Sequence, residues 1–323
     1  MVSTAADDLL VTALARFDRA AAGQGLPIRA DAPLAPMTTL RVGGPADRLA
    51  EPHSRQELLA VLAAARDAGL PWLVIGNGSN LVVADAGVRG LVVRNRARQV
   101  ELAGTTLSAD AGTPMAMLVK HASAAGLTGL EWGIAVPGTL GGAVWANAGA
   151  HGGEIADRLA WVETWDPANG ALGRLAAAAC GFGYRESRFK HEALVVVAAG
   201  LDLASDQPEA VAERVSGFQA QRLATQPLAE QNAGSVFRNP PGDHAGRLIE
   251  AAGLKGRRLG TASVSTRHAN FIVTGRGGSA MDVRRLADEV RNLVAEASGV
   301  TLAYEIEFVG AWPVAAAVQE ADR

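Results

Sequence analysis

Trp72-Leu-Val-Ile-Gly-Asn-Gly-Ser-Asn-Leu-Val-Val83 is the stretch that decides the fold. Trp72 to Ile75 is a short apolar run of strand character. Gly76-Asn-Gly-Ser-Asn80 follows it. Two glycines let backbone N–H groups approach an anion closely, and Ser79 and Asn80 add hydrogen-bonding groups. Leu81-Val-Val83 then resumes as strand. A Rossmann fingerprint needs a third glycine and a helix at this point, so the loop belongs to another kind of sheet. Read alone, the same five residues also describe an ordinary tight turn.

About sixty residues on lies a denser loop, Val136-Pro-Gly-Thr-Leu-Gly-Gly-Ala143, followed by Asn147-Ala-Gly-Ala150 and Gly152-Gly153. No Gly-Lys-Ser/Thr follows, so it is not a Walker A loop. So many glycines beside asparagine and threonine point to a backbone folded tightly around something flat or phosphorylated. Close packing of chain against chain is the alternative.

The surrounding chain alternates between helix and strand patterns. Leu10, Leu14, Phe17 and Ala21 share one face of a helix over 7–21. Ser54 and Glu57 form a capping-box pattern for a helix that Gly69 stops. Leu91-Val-Val93 reads as strand. Thr113-Pro114 reads as an N-cap and first-turn proline of a helix that Gly126 closes. Strands are expected at 160–166 and 193–203, and a helix from about 208 to 223. A long helix at 280–297 lies between Ser279 and Gly299. Thr301 to Val309 alternates with period two. The class is α+β, with a boundary near 203–208.

Composition excludes several functions. The chain has 323 residues, 49% of them apolar, and a net charge of −3. Its mean hydropathy is +0.12 and its pI about 6.1. That supports a buried core and offers no basic excess for a nucleic-acid backbone. One cysteine, Cys180, excludes an internal disulfide framework and cysteine-built metal sites. The histidines lack metal-ligand spacing, and no metal is expected. No apolar run approaches the ~18–20 residues of a membrane span, and the N-terminus does not read as a signal peptide. The expectation is a cytoplasmic protein with no membrane insertion.

The paired glycine loops on a mixed sheet resemble the flavin-binding half of the vanillyl-alcohol-oxidase fold, also called the PCMH type. Further blocks are similar to those of the UDP-N-acetylenolpyruvoylglucosamine reductase family. They are Thr39-Leu-Arg-Val-Gly-Gly-Pro-Ala46, Gly76-Asn-Gly-Ser-Asn-Leu81 and Pro137-Gly-Thr-Leu-Gly-Gly-Ala143. Tyr184-Arg-Glu-Ser-Arg-Phe189, Gly234-Ser-Val-Phe-Arg-Asn-Pro240, Ala251-Ala-Gly-Leu-Lys-Gly256, His268-Ala-Asn-Phe-Ile-Val273 and Glu305-Ile306 continue the series. The blocks run in order over roughly residues 34 to 310. The resemblance implies a two-lobed FAD-binding domain over 1–205, with lobes at about 1–68 and 69–205. An α+β substrate-binding domain over 206–323 would follow, its C-terminal return strand carrying Glu305.

The resemblance further implies bound FAD and NADPH as co-substrate. The substrate would be a UDP-sugar enolpyruvyl ether, reduced to UDP-N-acetylmuramate for peptidoglycan. FAD-binding candidates are Arg41, Gly76, Asn77, Gly78, Ser79, Asn80 and Leu81 from the first blocks. Val136, Pro137, Gly138, Thr139, Gly141, Gly142, Asn147, Gly149 and Gly153 complete that set. Hydride addition to a vinyl carbon leaves negative charge beside a carboxylate, so the site needs a cationic donor and a proton source. Arg185 offers a planar fork for a carboxylate. The resemblance makes Ser235 the proton donor. Glu305 and Glu307 share one face of the last strand, and the resemblance selects Glu305, although Tyr304 stands where the family's pattern has proline. Asn239 and Lys255 match positions that contact the UDP-sugar. The spacing of Arg185, Ser235 and Glu305 resembles the shorter of the family's two classes, which lacks the substrate-covering tyrosine loop.

Two other readings compete. A flavin oxidase or dehydrogenase of the same fold explains the glycine loops, leaving Tyr-Arg-x-Ser and Gly-Ser-Val-Phe without a role. A nucleotide-sugar-binding module without catalysis predicts a colourless protein that consumes no NADPH.

Overall fold

The computed structural model describes residues 5–313. It forms two compact units that interleave along the chain. Among the described residues, the first comprises those up to Ala30, Arg48–Asn77 and Gly90–Arg222; the second comprises Asp31–Asp47, Gly78–Arg89 and those from Leu223 onward. A single cut at 205/206 therefore does not describe them. Among the described residues, no helix is long and apolar enough to cross a membrane.

The first unit is built on two sheets. A four-stranded sheet has the order Ile28–Pro33, Pro45–Ala50, Val88–Arg94, Trp72–Ile75. In it Trp72–Ile75 runs parallel to Leu91–Arg94. A five-stranded sheet has the order Ala171–Ala176, Leu159–Asp166, Val195–Asp202, Thr106–Asp110, Val100–Ala103, all antiparallel. The helix Ala5–Gly23 buries Phe17 and Ala21 on the expected face, against Leu58 and Leu62 of the helix Arg55–Ala68. Full burial of such a side chain contributes roughly 1.5–3 kcal/mol.

Ser54 Oγ accepts from Glu57 N at 3.2 Å, and the Glu57 carboxylate reaches one residue further back, accepting from His53 N at 2.8 Å. Gly69 closes this helix at φ 67°. The next expected cap shifts. Pro114, not Thr113, precedes the first helical residue of Met115–Ala124, with φ −61° and ψ 137°. Pro114 is held extended because it pairs with Thr139 in an isolated antiparallel bridge. At the other end the cap residue is Ala125, and Gly126 follows with φ 63°.

The helix Pro208–Thr225 belongs to the first unit as far as Arg222. Its Arg214 pairs with Asp206 at 2.6 Å and with buried Glu131 at 2.9 Å. Burial works to raise the Glu131 carboxyl, but hydrogen bonds from Thr128, Gly129 and Arg214 outweigh it and hold the group below its ordinary range.

The second unit has a four-stranded antiparallel sheet in the order Gln231–Asn232, Ile272–Thr274, Ala262–Val264, Arg258–Leu259. Ala280–Ser298 packs on it, burying Val283, Leu286, Val290 and Val294 in a core with Phe237, Ile272 and Leu302. The helix begins at Ser279, whose Oγ accepts from Asp282 N, and ends at Gly299 with φ 72°. Asp85 lies at its start, accepting from Ser279 Oγ at 2.7 Å and Ala280 N at 2.8 Å. A carboxylate there meets unsatisfied N–H groups and the positive helix end.

The last strand is shorter than its period-two pattern. Only Glu307–Val309 is continuous strand, paired in parallel with Leu81–Val83. The preceding residues face another partner, because Tyr304 pairs with Phe237 in an isolated antiparallel bridge. The alternation survives this change. Leu302 and Ile306 are buried, Tyr304 and Phe308 pack against the same core, and Glu305 and Glu307 are half-buried.

Candidate active site

In the first unit the two glycine loops meet. A Cβ on Gly76 would stand 2.3 Å from Thr139 Oγ1 and 2.9 Å from Thr139 Cγ2, an approach that only glycine allows. Asn77 Nδ2 donates to Pro137 O at 3.0 Å and to Gly138 O at 3.4 Å. Gly138 O also accepts from Met115 N at 3.1 Å. Gly141 is packed against Ala111, whose Cβ would lie 2.8 Å from an added Cβ.

Gly142 differs. A Cβ there would meet Thr139 Oγ1 alone, at 3.7 Å. The loop thus has one face fixed by backbone contacts and another bare of side chains. Beside it Thr113 is fully buried, and its Oγ1 has no hydrogen-bond partner. A backbone face bare of side chains fits the diphosphate and flat ring system of FAD.

The arginine motif adjoins this loop. Asn147 closes the helix Leu140–Ala146 in a left-handed conformation, φ 42°. Its side chain is fully buried, donating to Gly183 O at 2.9 Å and accepting from Ala156 N at 3.0 Å. Arg185 is also left-handed, φ 55°, which costs a non-glycine residue about 1–2 kcal/mol. Its Nη2 donates to Gly149 O at 2.7 Å, and its guanidinium lies 5.1 Å from the Tyr184 ring centre. Gly149 pairs with Glu154 and Gly153 with Ala150 across a short antiparallel ladder, and a Cβ on Gly149 would meet Gly153 O at 2.5 Å. Val136 is half-buried next to exposed Pro137. A separate cavity of about 520 Å³ is lined by Glu131, Trp132, His151, Gly153, Arg158 and Arg214, among others. Of the residues nominated from sequence, Gly153 alone lines it.

The second unit gathers a different set. Gly78, at φ 61°, lies against Met37 O and Thr38, and its carbonyl accepts from Thr39 N at 3.3 Å. Arg41 is exposed and left-handed at φ 56°, its N–H donating to Thr38 Oγ1 at 3.0 Å. Ser79 O lies 3.9 Å from where a Cβ of Gly234 would be. Asn80 Nδ2 donates to Glu305 O at 2.8 Å, and Asn80 O accepts from Glu307 N at 2.9 Å. Leu81 begins the strand paired with Glu307. Glu305 N in turn donates to Val236 O at 2.8 Å, next to Ser235. So residues 78–81, the Ser235 turn and Glu305 lie on neighbouring segments.

Asn239 and Lys255 both have protein partners. Asn239 Oδ1 accepts from Ala245 N at 3.1 Å, at the start of the helix Ala245–Ala251. Lys255 Nζ is paired with Glu250 at 2.8 Å. Two residues without a nominated role stand out here. His268 accepts from Asn270 N at 3.2 Å through Nδ1, and burial, with Lys255 nearby, lowers its pKa. Asn270 is buried at 4% exposure, with its side chain on Phe237. Both lie in the His268–Val273 block, and that block was the only signal in the sequence.

Two family models match the chain. Residues 46–176 match the family model of an FAD binding domain, and residues 226–309 match that of the C-terminal domain of UDP-N-acetylenolpyruvoylglucosamine reductase. The fold is that of an FAD-dependent oxidoreductase with a PCMH-type cofactor domain. The chain is 47% identical over 289 residues to the UDP-N-acetylenolpyruvoylglucosamine reductase of Moorella thermoacetica, covering 89% of this chain and 95% of that one. It is 43% identical over 281 residues to the enzyme of the same name from Heliobacterium modesticaldum, covering 86% and 89%. The crystal structure of the Thermus caldophilus reductase aligns with a TM-score of 0.75 at 36% identity, over 89% of this chain and 99% of that one. The chain belongs to the UDP-N-acetylenolpyruvoylglucosamine reductase family.

Proposed function

We propose that this protein reduces the enolpyruvyl ether of a UDP-N-acetylglucosamine derivative to UDP-N-acetylmuramate, in the cytoplasm, with Arg185, Ser235 and Glu305 as its reacting groups. FAD, when bound, supplies hydride taken from NADPH. Gly76, Asn77 and the Val136–Gly142 loop hold the cofactor through backbone contacts, with Arg41, Ser79, Asn80, Leu81, Asn147, Gly149 and Gly153 completing its surroundings. Asn239 and Lys255 receive the nucleotide-sugar part of the substrate.

The new C–H bond forms at the terminal vinyl carbon, and the π electrons move to the inner carbon and its carboxylate. Arg185 pairs with that carboxylate through a planar fork and stabilises the charge as it grows. The Ser235 hydroxyl gives its proton to the inner carbon. Glu305, on the adjoining segment, orients the hydroxyl and restores its proton from solvent. Net change is one hydride and one proton added across the double bond.

The observation carrying this reading is the hydrogen-bonded sequence Asn80–Glu305–Val236 beside Ser235, which ties a cofactor-motif side chain to the backbone of the segments that bear Glu305 and Ser235. Stopped-flow measurement of Ser235→Ala tests it. Bleaching by NADPH should proceed nearly as in wild type, while reoxidation by the enolpyruvyl substrate falls roughly 10²–10⁴-fold. Equal slowing of both steps, or of neither, removes Ser235 from the mechanism.

A further inference from the structure

We propose that Asn270 is a positioning residue for the proton transfer, holding the Ser235 turn in register with Glu305; this rests on the roles just given to those two residues. Asn270 Oδ1 accepts from Phe237 N at 3.0 Å, and Nδ2 donates to Phe237 O at 2.8 Å. The amide orientation follows from its partners, because a backbone N–H only donates and a carbonyl only accepts. With its side chain Asn270 thus reproduces the paired hydrogen bonds that one strand residue normally offers another.

The main chain of the same residue adds to the brace. Asn270 O accepts from Val236 N at 2.8 Å. On the other edge, Val236 O accepts from Glu305 N at 2.8 Å, and Arg238 N donates to Ala303 O at 2.9 Å. Ser235-Val236-Phe237 is therefore the middle rung of a three-segment ladder, between Asn270 and residues 303–306. Phe237 fixes the rung from within, stacked on Tyr304 with ring centres 5.2 Å apart and 1% exposed. The ladder ends at Asn80, which binds Glu305 O.

Removing the Asn270 amide leaves the Phe237 N–H and C=O buried without partners. Unpaired buried peptide groups force the backbone to move toward another partner. The residue that moves with them is Ser235, two positions away, whose hydroxyl must meet a single carbon. Misplacement by about 1 Å costs such a step as much as 10²-fold. Hydride uptake from NADPH uses neither Ser235 nor Glu305 and is left alone.

The test is a double-mutant cycle on the two half-reactions. Asn270→Ala should retain FAD, bleach with NADPH within about twofold of wild type, and reoxidise with the enolpyruvyl substrate roughly 10–10²-fold more slowly. In the Ser235→Ala background the same change should have little further effect on reoxidation, because the group it positions is gone. A larger solvent isotope effect on reoxidation should appear in Asn270→Ala and be absent from Leu286→Ala, a truncation in the same core. If Asn270→Ala does not fold, Asn270→Asp keeps the acceptor for Phe237 N–H, and the same cycle is run with it. Additive losses in the double variant, or slowing of both half-reactions together, would overturn the proposal. Failure of wild-type protein to reoxidise with the enolpyruvyl substrate would overturn the functional reading itself, and this inference with it.

Discussion

The two units present their candidate residues in opposite ways. In the first, the site is made by leaving atoms out: Gly76 touches Thr139 where no Cβ fits, and Gly142 shows bare backbone to open space. In the second, it is made by adding functional groups, with the side-chain amides of Asn80 and Asn270 each engaged on neighbouring chain. A large, flat, charged cofactor is best met by peptide groups at close range, which bulky side chains would block. A single proton transfer needs one hydroxyl at one place, which side-chain amides bonded to neighbouring backbone can fix. Insertions should therefore damage the first unit most, and deletions the second.

The largest expected effect comes from an insertion. Gly76→Val drives the loop away from Thr139, and the purified protein should contain essentially no FAD while keeping its far-ultraviolet spectrum. A folded variant with full flavin content would break the contrast at its first term of comparison.

Arg185→Lys is the next in size. It keeps the charge but loses the bidentate fork. Loss of a group aimed at developing charge costs ~2.7–4 kcal/mol, or about 10²–10³ in the reoxidation rate. FAD content should not change. Wild-type turnover in this variant would return Arg185 to the role of an ordinary surface cation.

Tyr304→Phe sharpens the account of the second unit. The phenol donates to Asp288, and burial followed by that carboxylate raises its pKa well above the ordinary value. Removing the hydroxyl leaves the stacking on Phe237 in place. The expected loss is about 1 kcal/mol of stability, read as a lower Tm, with turnover nearly unchanged. A collapse of turnover would mean that the hydroxyl, and not the ring, holds Glu305 in place.

The smallest effect is a pH dependence. Burial, reinforced by Lys255, depresses the His268 pKa below 6.5 in the folded state. The unfolded chain then binds a proton that the folded one resists, so stability is full above about pH 6.5 and falls as pH drops through the folded value. His268→Gln should flatten the acid limb of a Tm-against-pH curve. An unchanged slope would show that other groups govern it.

Local features of this molecule were legible in the sequence, and long-range ones were not. The helices at 55–68 and 280–298 announce themselves through Ser54, Gly69, Ser279 and Gly299, whose capping chemistry lies within a few residues. Thr113 misled because its neighbour Pro114 is extended by pairing with Thr139, a contact across 25 residues that no local pattern encodes. The interleaving of the units rests on links such as Thr39 Oγ1 to Asn232 O and Ser279 Oγ to Asp85. The period-two pattern of 301–309 gave the burial of each side chain, while the change of partner at Tyr304 cut the continuous strand short. Among the site residues, glycines and the Arg185, Ser235 and Glu305 blocks stood out through resemblance. Asn270 lay in one of those blocks, but its role depends on Phe237, 33 residues away.

In the proposed reaction, a backbone cradle for FAD and a side-chain site for proton transfer serve one chemistry. Anaerobic spectroscopy of the wild-type protein tests it most directly. Purified protein should be yellow, should bleach on addition of one equivalent of NADPH, and should regain its colour when the UDP-N-acetylglucosamine enolpyruvyl ether is added, with one equivalent of UDP-N-acetylmuramate formed. Colourless protein that binds no added FAD, or bleached protein that the enolpyruvyl ether fails to reoxidise, would contradict the account.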